Sequence, residues 1–259
     1  MKDILETAIK AAKLAGNVIK MSRPAEINLK STADYVTEID LICQNIIIDN
    51  IENNFPDHEI LAEENGGFFR KTNKLWIIDP LDGTTNFIRN LSHSGVSIAF
   101  YDEGDLQVGV VYDPYRDELF SAIKGEGAFL NDKPIKVSET IEFKNSLFAT
   151  GFPFRHPDKV KIYKNVFEEV LINCSGIRRM GSAALDLCWT ASGRYDGFFE
   201  GWLAPWDIAA GALILREAGG IISDFYGSKD YLSTGCVVCG NHYVFDRLFE
   251  IVSKQLKEL

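Results

Sequence analysis

The sequence carries little positive charge for its size. Its 27 lysines and arginines stand against 37 aspartates and glutamates among 259 residues, which gives a formal net charge of −10. Nucleic acids and anionic membranes attract proteins through basic surfaces, so this composition disfavours both as electrostatically bound partners. An anionic substrate is still compatible with this charge, provided that a metal cation reverses the local field.

A long apolar run is also lacking, and no segment looks like a secretory leader. Lys10 and Lys13 interrupt the apolar residues near the N-terminus, so the segment has no continuous hydrophobic region of the signal-peptide kind. Apolar residues recur there at helical spacing from Ile4 to Ile19 instead. We expect a cytoplasmic protein with no membrane partner.

Cysteines are too few and too scattered for a disulfide framework, since there are five of them between Cys43 and Cys239. Cys236 and Cys239 have the spacing of half a zinc or redox site, but no second pair completes it. They lie in a short apolar run bounded by glycines, where strand geometry would point the two thiols to opposite faces. We interpret this run as a buried strand, with metal or redox chemistry as the less favoured alternative.

The order of predicted elements indicates an α+β or layered α/β fold. In the first half, two helices at 2–22 and 38–54 precede strands that include a hairpin pattern around Glu103-Gly104. In the second half, strands alternate with helices up to a closing helix at His242–Lys257. We place a soft boundary near residue 140, between an N-terminal lobe (1–140) and a C-terminal lobe (141–259). No flexible linker marks it, so we expect one compact unit.

Acidic residues occur where apolar elements begin or end. Asp79 and Asp82 follow the apolar run Leu75–Ile78, and the others are Glu63 with Glu64, Asp40 at the start of a helix, and Asp207 in the first turn of another. Each alone has a simple explanation as a turn residue, a helix cap or a solvated charge. Together they suggest a site for a divalent cation such as Mg²⁺, which prefers oxygen ligands and often binds alongside a substrate phosphate.

Several strings resemble the inositol monophosphatase family. They are Glu63-Glu64, WIIDPLDGTTNF at Trp76–Phe87, GSAALD at Gly181–Asp186, PWDIAAG at Pro205–Gly211 and EAGG at Glu217–Gly220. TGFPFR, RRMGSAALDL and GRYDGFFE make the chain most similar to bacterial inositol-1-monophosphatases. The resemblance covers essentially the whole chain. It implies an αβαβα sugar-phosphatase sandwich, Mg²⁺-dependent and lithium-sensitive hydrolysis of myo-inositol monophosphate, and a homodimer.

The resemblance also assigns roles at the phosphate end of the site. It implies that Glu63, Asp79 and the Leu81 carbonyl hold one Mg²⁺, that Asp79, Asp82 and Asp207 hold a second, and that a third, weaker ion lies near Glu63. Asp82, Gly83 and Thr84 would face the phosphate. Glu63 and Thr84, with Asp40 behind them, would position and deprotonate the attacking water.

Substrate selection is assigned by resemblance to the second lobe. Gly181, Ser182, Ala183 and Glu200 would line a polyol pocket, and Asp207 would also reach a hydroxyl group. Arg178 is a weaker candidate, because Arg178 and Arg179 fit a surface or interface pair equally well.

Two alternatives stay open. One is the same hydrolysis of fructose-1,6-bisphosphate, histidinol phosphate or a nucleotide 3′-phosphate, although the Glu200 carboxylate would repel a second phosphate group. The other is a regulatory protein on this fold that binds a protein or RNA partner. The complete acidic set argues against an inactive enzyme, but it does not argue against a second role.

Overall fold

Two large β-sheets, a small hairpin and the helices around them form the structure, a computed structural model that describes residues 1–24, 26–31 and 34–256. The helices are α1 (Lys2–Met21), α2 (Glu38–Asn54), α3 (Thr84–Ile88), α4 (Val160–Leu171), α5 (Ala183–Ala191), α6 (Pro205–Glu217), α7 (Tyr231–Thr234) and α8 (Phe245–Leu256). The first strands are β1 (Ile27–Ser31), β2 (Asp34–Thr37), β3 (Glu59–Ala62), β4 (Leu75–Asp82), β5 (Gly95–Asp102), β6 (Asp105–Asp113) and β7 (Glu118–Ile123). The remaining strands are β8 (Ala128–Leu130), β9 (Lys133–Ile135), β10 (Leu147–Thr150), β11 (Gly176–Arg178), β12 (Gly197–Glu200), β13 (Ile221–Ser223) and β14 (Val237–Gly240).

The first large sheet has seven strands in the order β3 to β9, and only the β3–β4 pair among them is parallel. Alternate side chains of its strands enter different cores, as the two-residue repeat of a strand requires. Trp76 and Ile78 pack with the apolar faces of α1 and α2. Ile77 lies in another core with residues of α5 and α6. A Cβ atom at Gly109 of β6 would lie 2.7 Å from the Ala210 carbonyl oxygen, so glycine lets α6 approach this sheet closely.

The second sheet has five strands in the order β11-β10-β12-β14-β13. One of its faces joins the core formed with α5 and α6, and the other packs on α4 and α8. The layers therefore run α1/α2, sheet, α5/α6, sheet, α4/α8. This arrangement confirms the predicted αβαβα sandwich. Cys236 and Cys239 lie in the cores on opposite sides of this sheet, which confirms the interpretation of their run as a buried strand.

The predicted helices at 2–22 and 38–54 are confirmed to within one residue. The closing helix begins at Phe245, later than predicted, and its predicted last residue, Lys257, lies outside the described residues. The β1–β2 hairpin was not predicted, because Ile27 and Leu29 are exposed and give it no buried apolar pattern. No helix in the described part of the chain is both long enough and apolar enough to cross a membrane.

The chain passes from the first sheet to the second between Ile135 and Leu147. This segment contains the predicted boundary near residue 140. However, α5 and α6 belong to the second half of the chain and cover a face of the first sheet. The division into two lobes thus stays a prediction.

Candidate active site

A cleft of about 400 Å³ opens where the two sheets and the middle helical layer meet. Most of the predicted site residues line it, namely Glu63, Asp79, Leu81, Asp82, Gly83, Thr84, Gly181, Ser182, Ala183, Glu200 and Asp207. Asp40 lies directly behind Thr84 and is hydrogen-bonded to it. The structure thus brings together residues that are far apart in the sequence.

Three aspartates form the acidic centre of the cleft. One carboxylate oxygen from each of Asp79, Asp82 and Asp207 lies within 4.8 Å of the others. Asp79 and Asp82 end β4, where the pairing with β5 is irregular between these two residues. Asp207 comes from the first turn of α6, where its Oδ2 accepts a hydrogen bond from the Ala204 N–H at 2.8 Å. An irregular strand end and a helix start therefore place three carboxylates around one point.

Burial and mutual repulsion disfavour the charged forms of these acids. Burial raises the pKa of Asp79 well above its usual value, and the charges of Glu63, Asp82 and Asp207 raise it further. Burial likewise raises the pKa of Asp82 to about 6, although hydrogen bonds from Ser182 and Ala184 oppose this. The pKa of Asp207 is also raised by burial, and then by the charges of Asp82 and Glu63. A divalent cation would relieve all of these costs.

The donor set fits Mg²⁺. Three carboxylates, the adjacent Glu63 and the nearby Leu81 carbonyl are all hard oxygen ligands, and they leave open space in the cleft for water and a phosphate. The Leu81 N–H donates to Asp79 Oδ1 at 3.0 Å, which fixes the turn that carries this carbonyl.

Glycine is required at position 83 for two reasons. Gly83 has a φ of 90°, in the left-handed region, and a Cβ atom there would lie 3.1 Å from the His93 carbonyl oxygen and 3.2 Å from that of Gly181. The residue that follows, Thr84, begins the short helix α3. This tight turn places the Thr84 side chain between the acidic centre and Asp40.

Asp40 orients the Thr84 hydroxyl group. Asp40 is the third residue of α2 and closes its capping box, so that its Oδ2 accepts from both the N–H (2.8 Å) and the hydroxyl (2.5 Å) of Thr37. Its other oxygen lies 3.0 Å from Thr84 Oγ1, which also lies 3.2 Å from the Leu81 carbonyl oxygen. Both contacts draw the Thr84 proton, which leaves the oxygen of this hydroxyl free to accept a hydrogen bond from the cleft. Burial raises the pKa of Asp40, and the hydrogen bonds from Thr37 and Thr84 oppose this.

The second half of the chain also orients Asp82 directly. Asp82 Oδ2 accepts from the Ser182 hydroxyl at 2.6 Å and from the Ala184 N–H at 2.8 Å. Ser182 is the N-cap of α5, so the start of this helix is attached to the end of β4. Sequence reasoning assigned Ser182 only to the substrate pocket.

Comparison with known proteins identifies the family. The model of the inositol monophosphatase family matches residues 1–257. The chain belongs to this family.

Two kinds of relative stand out within the inositol monophosphatase family. The chain is 43% identical to Nus factor SuhB of Escherichia coli, an alignment that covers 100% of this chain and 98% of the relative. Among solved structures, extragenic suppressor protein SuhB from Bartonella henselae matches with a TM-score of 0.92 at 37% identity, covering 97% of this chain and 99% of the other. The IMPase of Thermotoga maritima matches with a TM-score of 0.90 at 35% identity, covering 99% of both chains.

The inositol monophosphatase resemblance missed several residues that line the cleft. These are Tyr35, Phe152, Phe154, Arg155, His156, Arg179 and Trp202. Three of them belong to TGFPFR, a string that contributed to the resemblance without suggesting any side-chain role. Of the arginine pair, Arg179 lines the cleft, whereas Arg178 is exposed at the end of β11 and donates to the carbonyl of Ile177 at 3.1 Å. The structure thus places the weaker candidate, Arg178, outside the residues that line the cleft.

Proposed function

We propose that this member of the inositol monophosphatase family hydrolyses myo-inositol monophosphate to inositol and phosphate in a Mg²⁺-dependent reaction. The observation that carries the proposal is the convergence of Asp79, Asp82 and Asp207 beside the hydrogen-bonded pair of Thr84 and Asp40. Glu63, these three aspartates and the Leu81 carbonyl would hold two Mg²⁺ ions, with a third, weaker ion near Glu63. When bound, Mg²⁺ supplies positive charge that acidifies water and stabilises both the phosphate and the departing alkoxide.

The protein's own groups would orient the attacking water. The Thr84 oxygen accepts a hydrogen bond from this water, because the Thr84 proton is directed to Asp40 or to the Leu81 carbonyl. Glu63 lines the cleft, interacts with Asp79 and would complete the set of groups that take up the proton of the water. Gly83 and Thr84 would contact the phosphate oxygens.

Glu200 supports a polyol as the leaving group. Its side chain lines the cleft, and burial raises its pKa to about 8, with the positive charge of Arg179 opposing this. A carboxyl group can hydrogen-bond to an alcohol in either protonation state, as an acceptor or as a donor. Besides the esterified oxygen, inositol carries further hydroxyl groups that such a residue would recognise. A simple aryl alcohol has no further hydroxyl group. Gly181, Ser182, Ala183 and Asp207 would complete this pocket.

A panel of phosphomonoesters tests the proposal. Phosphate release is measured for myo-inositol 1-phosphate, fructose-1,6-bisphosphate, histidinol phosphate and a nucleotide 3′-phosphate, with and without Mg²⁺. We expect Mg²⁺-dependent release and the highest kcat/KM for the inositol ester. A higher kcat/KM for one of the other esters would favour the alternative of the same chemistry on another small phosphate.

Replacing Glu200 with alanine should affect the two substrate types unequally. The variant loses one hydrogen bond to the polyol, so kcat/KM for the inositol ester should fall by roughly 10- to 100-fold. With 4-nitrophenyl phosphate, which lacks that hydroxyl group, the fall should be much smaller. Similar losses with both substrates would mean that Glu200 supports the acidic centre instead of the substrate pocket.

The activity should rise and then fall as Mg²⁺ is added, because an ion that stabilises the leaving group also retains the product phosphate. Lithium should inhibit, since it is a small cation suited to the same oxygen ligands but carries less charge. Initial rates are measured against both ions, with a known inositol monophosphatase as the control. Activity that resists lithium at concentrations inhibiting the control would contradict this geometry of the ion site.

A second candidate function follows from the relatives named Nus factor SuhB, which favour the alternative of a regulatory role. We propose the role of a Nus factor as an addition to phosphatase activity. The test is complementation of an Escherichia coli strain that lacks its Nus factor SuhB. It compares the wild-type chain with an Asp82→Asn variant. Restoration by both would separate this role from catalysis, and restoration by neither would contradict it.

We also propose the homodimer, which light scattering of the purified protein would test. The cytoplasmic location and the absence of a nucleic-acid partner stay predictions.

A further inference from the structure

Gly151 and Glu200 are neighbours at the ends of two adjacent strands. β10 and β12 pair in parallel, with Thr150 opposite Phe199, so the next residue of each strand comes to lie beside the other. The Thr150 hydroxyl donates to the Phe199 carbonyl at 2.8 Å, and the Tyr163 hydroxyl lies 3.3 Å from the same oxygen. These buried hydrogen bonds fix the two strand ends relative to each other immediately before Gly151 and Glu200.

The carboxyl group of Glu200 occupies the space that a side chain at position 151 would need. A Cβ atom built on Gly151 would lie 1.7 Å from Glu200 Oε1, 1.8 Å from Cδ and 2.2 Å from Oε2. These are the three nearest atoms, and all are far inside the separation of ~3.5–4.0 Å at which carbon atoms pack. The main chain does not require glycine here, because Gly151 is not among the glycines with positive φ. Among the described residues, the position of the Glu200 carboxyl group therefore accounts for glycine at this position.

This carboxyl group has hydrogen-bonding capacity to spare. It lines the cleft, yet the part of the chain that the structure describes gives it no hydrogen-bond donor, and Arg179 acts on it only as a nearby charge. Packing against the bare main chain at Gly151 is thus what holds it in place. Both carboxyl oxygens are left to meet a hydroxyl group of a bound molecule.

We propose that Gly151 is a positioning residue that determines substrate specificity, because its missing side chain lets the Glu200 carboxyl group lie against the main chain and face the polyol. This inference rests on the proposed function, and it names the class of substrate that the cleft selects, phosphate esters of hydroxyl-rich alcohols. A methyl group at position 151 would turn the carboxyl group out of this place and into the space of the polyol. The metal ligands and the Thr84–Asp40 pair would not be touched.

The test is a double-mutant cycle with Gly151→Ala, Glu200→Ala and the double variant. For each protein, kcat/KM is measured with myo-inositol 1-phosphate and with 4-nitrophenyl phosphate, and the melting temperature is recorded. For Gly151→Ala we expect a fall of about tenfold or more with the inositol ester and a change within about twofold with the aryl ester. In the Glu200→Ala background, the same substitution should have no further effect, since the group it displaces is gone.

Gly176→Ala is the matched control. Gly176 begins β11 of the same sheet, also without a positive φ, and its Cβ atom would meet only side-chain atoms of Leu147 and Arg178, at 3.3 and 3.4 Å. This variant should keep the substrate preference of the wild type. A parallel change of preference in Gly176→Ala would contradict the assignment to Gly151.

Three results would overturn the proposal for Gly151. They are equal losses with both esters, an unchanged preference in a folded Gly151→Ala variant, and a loss that persists in the Glu200→Ala background. If the wild type prefers a different polyol phosphate, the proposed substrate is wrong, but the same cycle with that ester still decides the role of Gly151. If the wild type hydrolyses no phosphomonoester, the proposed function fails, and this inference fails with it.

Discussion

Replacing Asp82 with asparagine should lower kcat by about a thousandfold, which corresponds to ~4 kcal/mol of transition-state stabilisation. Both hydrogen bonds that the side chain accepts end on one oxygen, Oδ2, from Ser182 and from Ala184. The asparagine carbonyl can take over both of them, which places the amide nitrogen where the second carboxylate oxygen faced the acidic centre. The fold should therefore stay intact while one ion ligand is replaced by a hydrogen-bond donor. The measurement is phosphate release at saturating Mg²⁺.

The stability of this variant without metal gives a second readout. Burial raises the pKa of Asp82 to about 6 in the folded protein. An acid whose pKa rises on folding lowers stability progressively from its unfolded pKa of about 4 up to its folded pKa, and the full cost persists above that value. Asparagine carries no such cost. Without Mg²⁺, the variant should melt at a higher temperature than the wild type at pH 8, and this advantage should disappear near pH 4.

Asp49→Asn is a suitable control, because Asp49 is exposed on α2 and the substitution removes the same charge. It should keep normal activity. Near-normal turnover of the Asp82 variant at saturating Mg²⁺ would refute the assignment of Asp82 as an ion ligand.

Thr84→Val should lower kcat by roughly 100- to 1,000-fold and change KM much less, since a positioned proton acceptor contributes on this scale. Valine has nearly the shape of threonine but cannot accept a hydrogen bond from the attacking water. It also leaves Asp40 Oδ1 without the donor that now lies at 3.0 Å, so a modest loss of thermal stability should accompany the loss of activity.

Thr84→Ser is the control, because it keeps the hydroxyl group and should retain most of the activity and of the thermal stability. Steady-state kinetics and melting curves of both variants are the measurements. A Thr84→Val variant that changes KM alone would show that Thr84 binds the phosphate without acting on the water.

The sequence predicted those features that depend on local pattern. Asp40 and Asp207 lie where helix-start signals placed them, and Asp79 and Asp82 lie at the end of the buried strand that the apolar run from Leu75 indicated. That they share one site was a hypothesis from the number of such acids, and their separate roles came only from the family resemblance. No periodicity relates α6 to the end of β4, because the two are brought together by the packing of α6 on the first sheet.

The remaining features depend on contacts between distant segments. Ser182 donates to Asp82 across 100 residues, and nothing in the string GSAALD indicates that contact. The need for glycine at position 151 arises from a side chain 49 residues away, which no turn signal could reveal. Similarly, the choice between Arg178 and Arg179 depends on where β11 ends, a boundary that sequence patterns locate only approximately.

The middle layer of the sandwich makes the two halves of the chain mutually dependent. α5 and α6 lie between the two sheets, and each sheet covers a part of their surface. Most of their residues are therefore apolar and buried. A chain cut between Ile135 and Leu147 would leave the first fragment with one face of its sheet bare, prone to self-association. It would leave the second fragment holding Asp207 without Glu63, Asp79 and Asp82. Reassembly of such fragments would restore the apolar core and the acidic centre in a single event, so recovered phosphatase activity would report directly on the docking of one half onto the other.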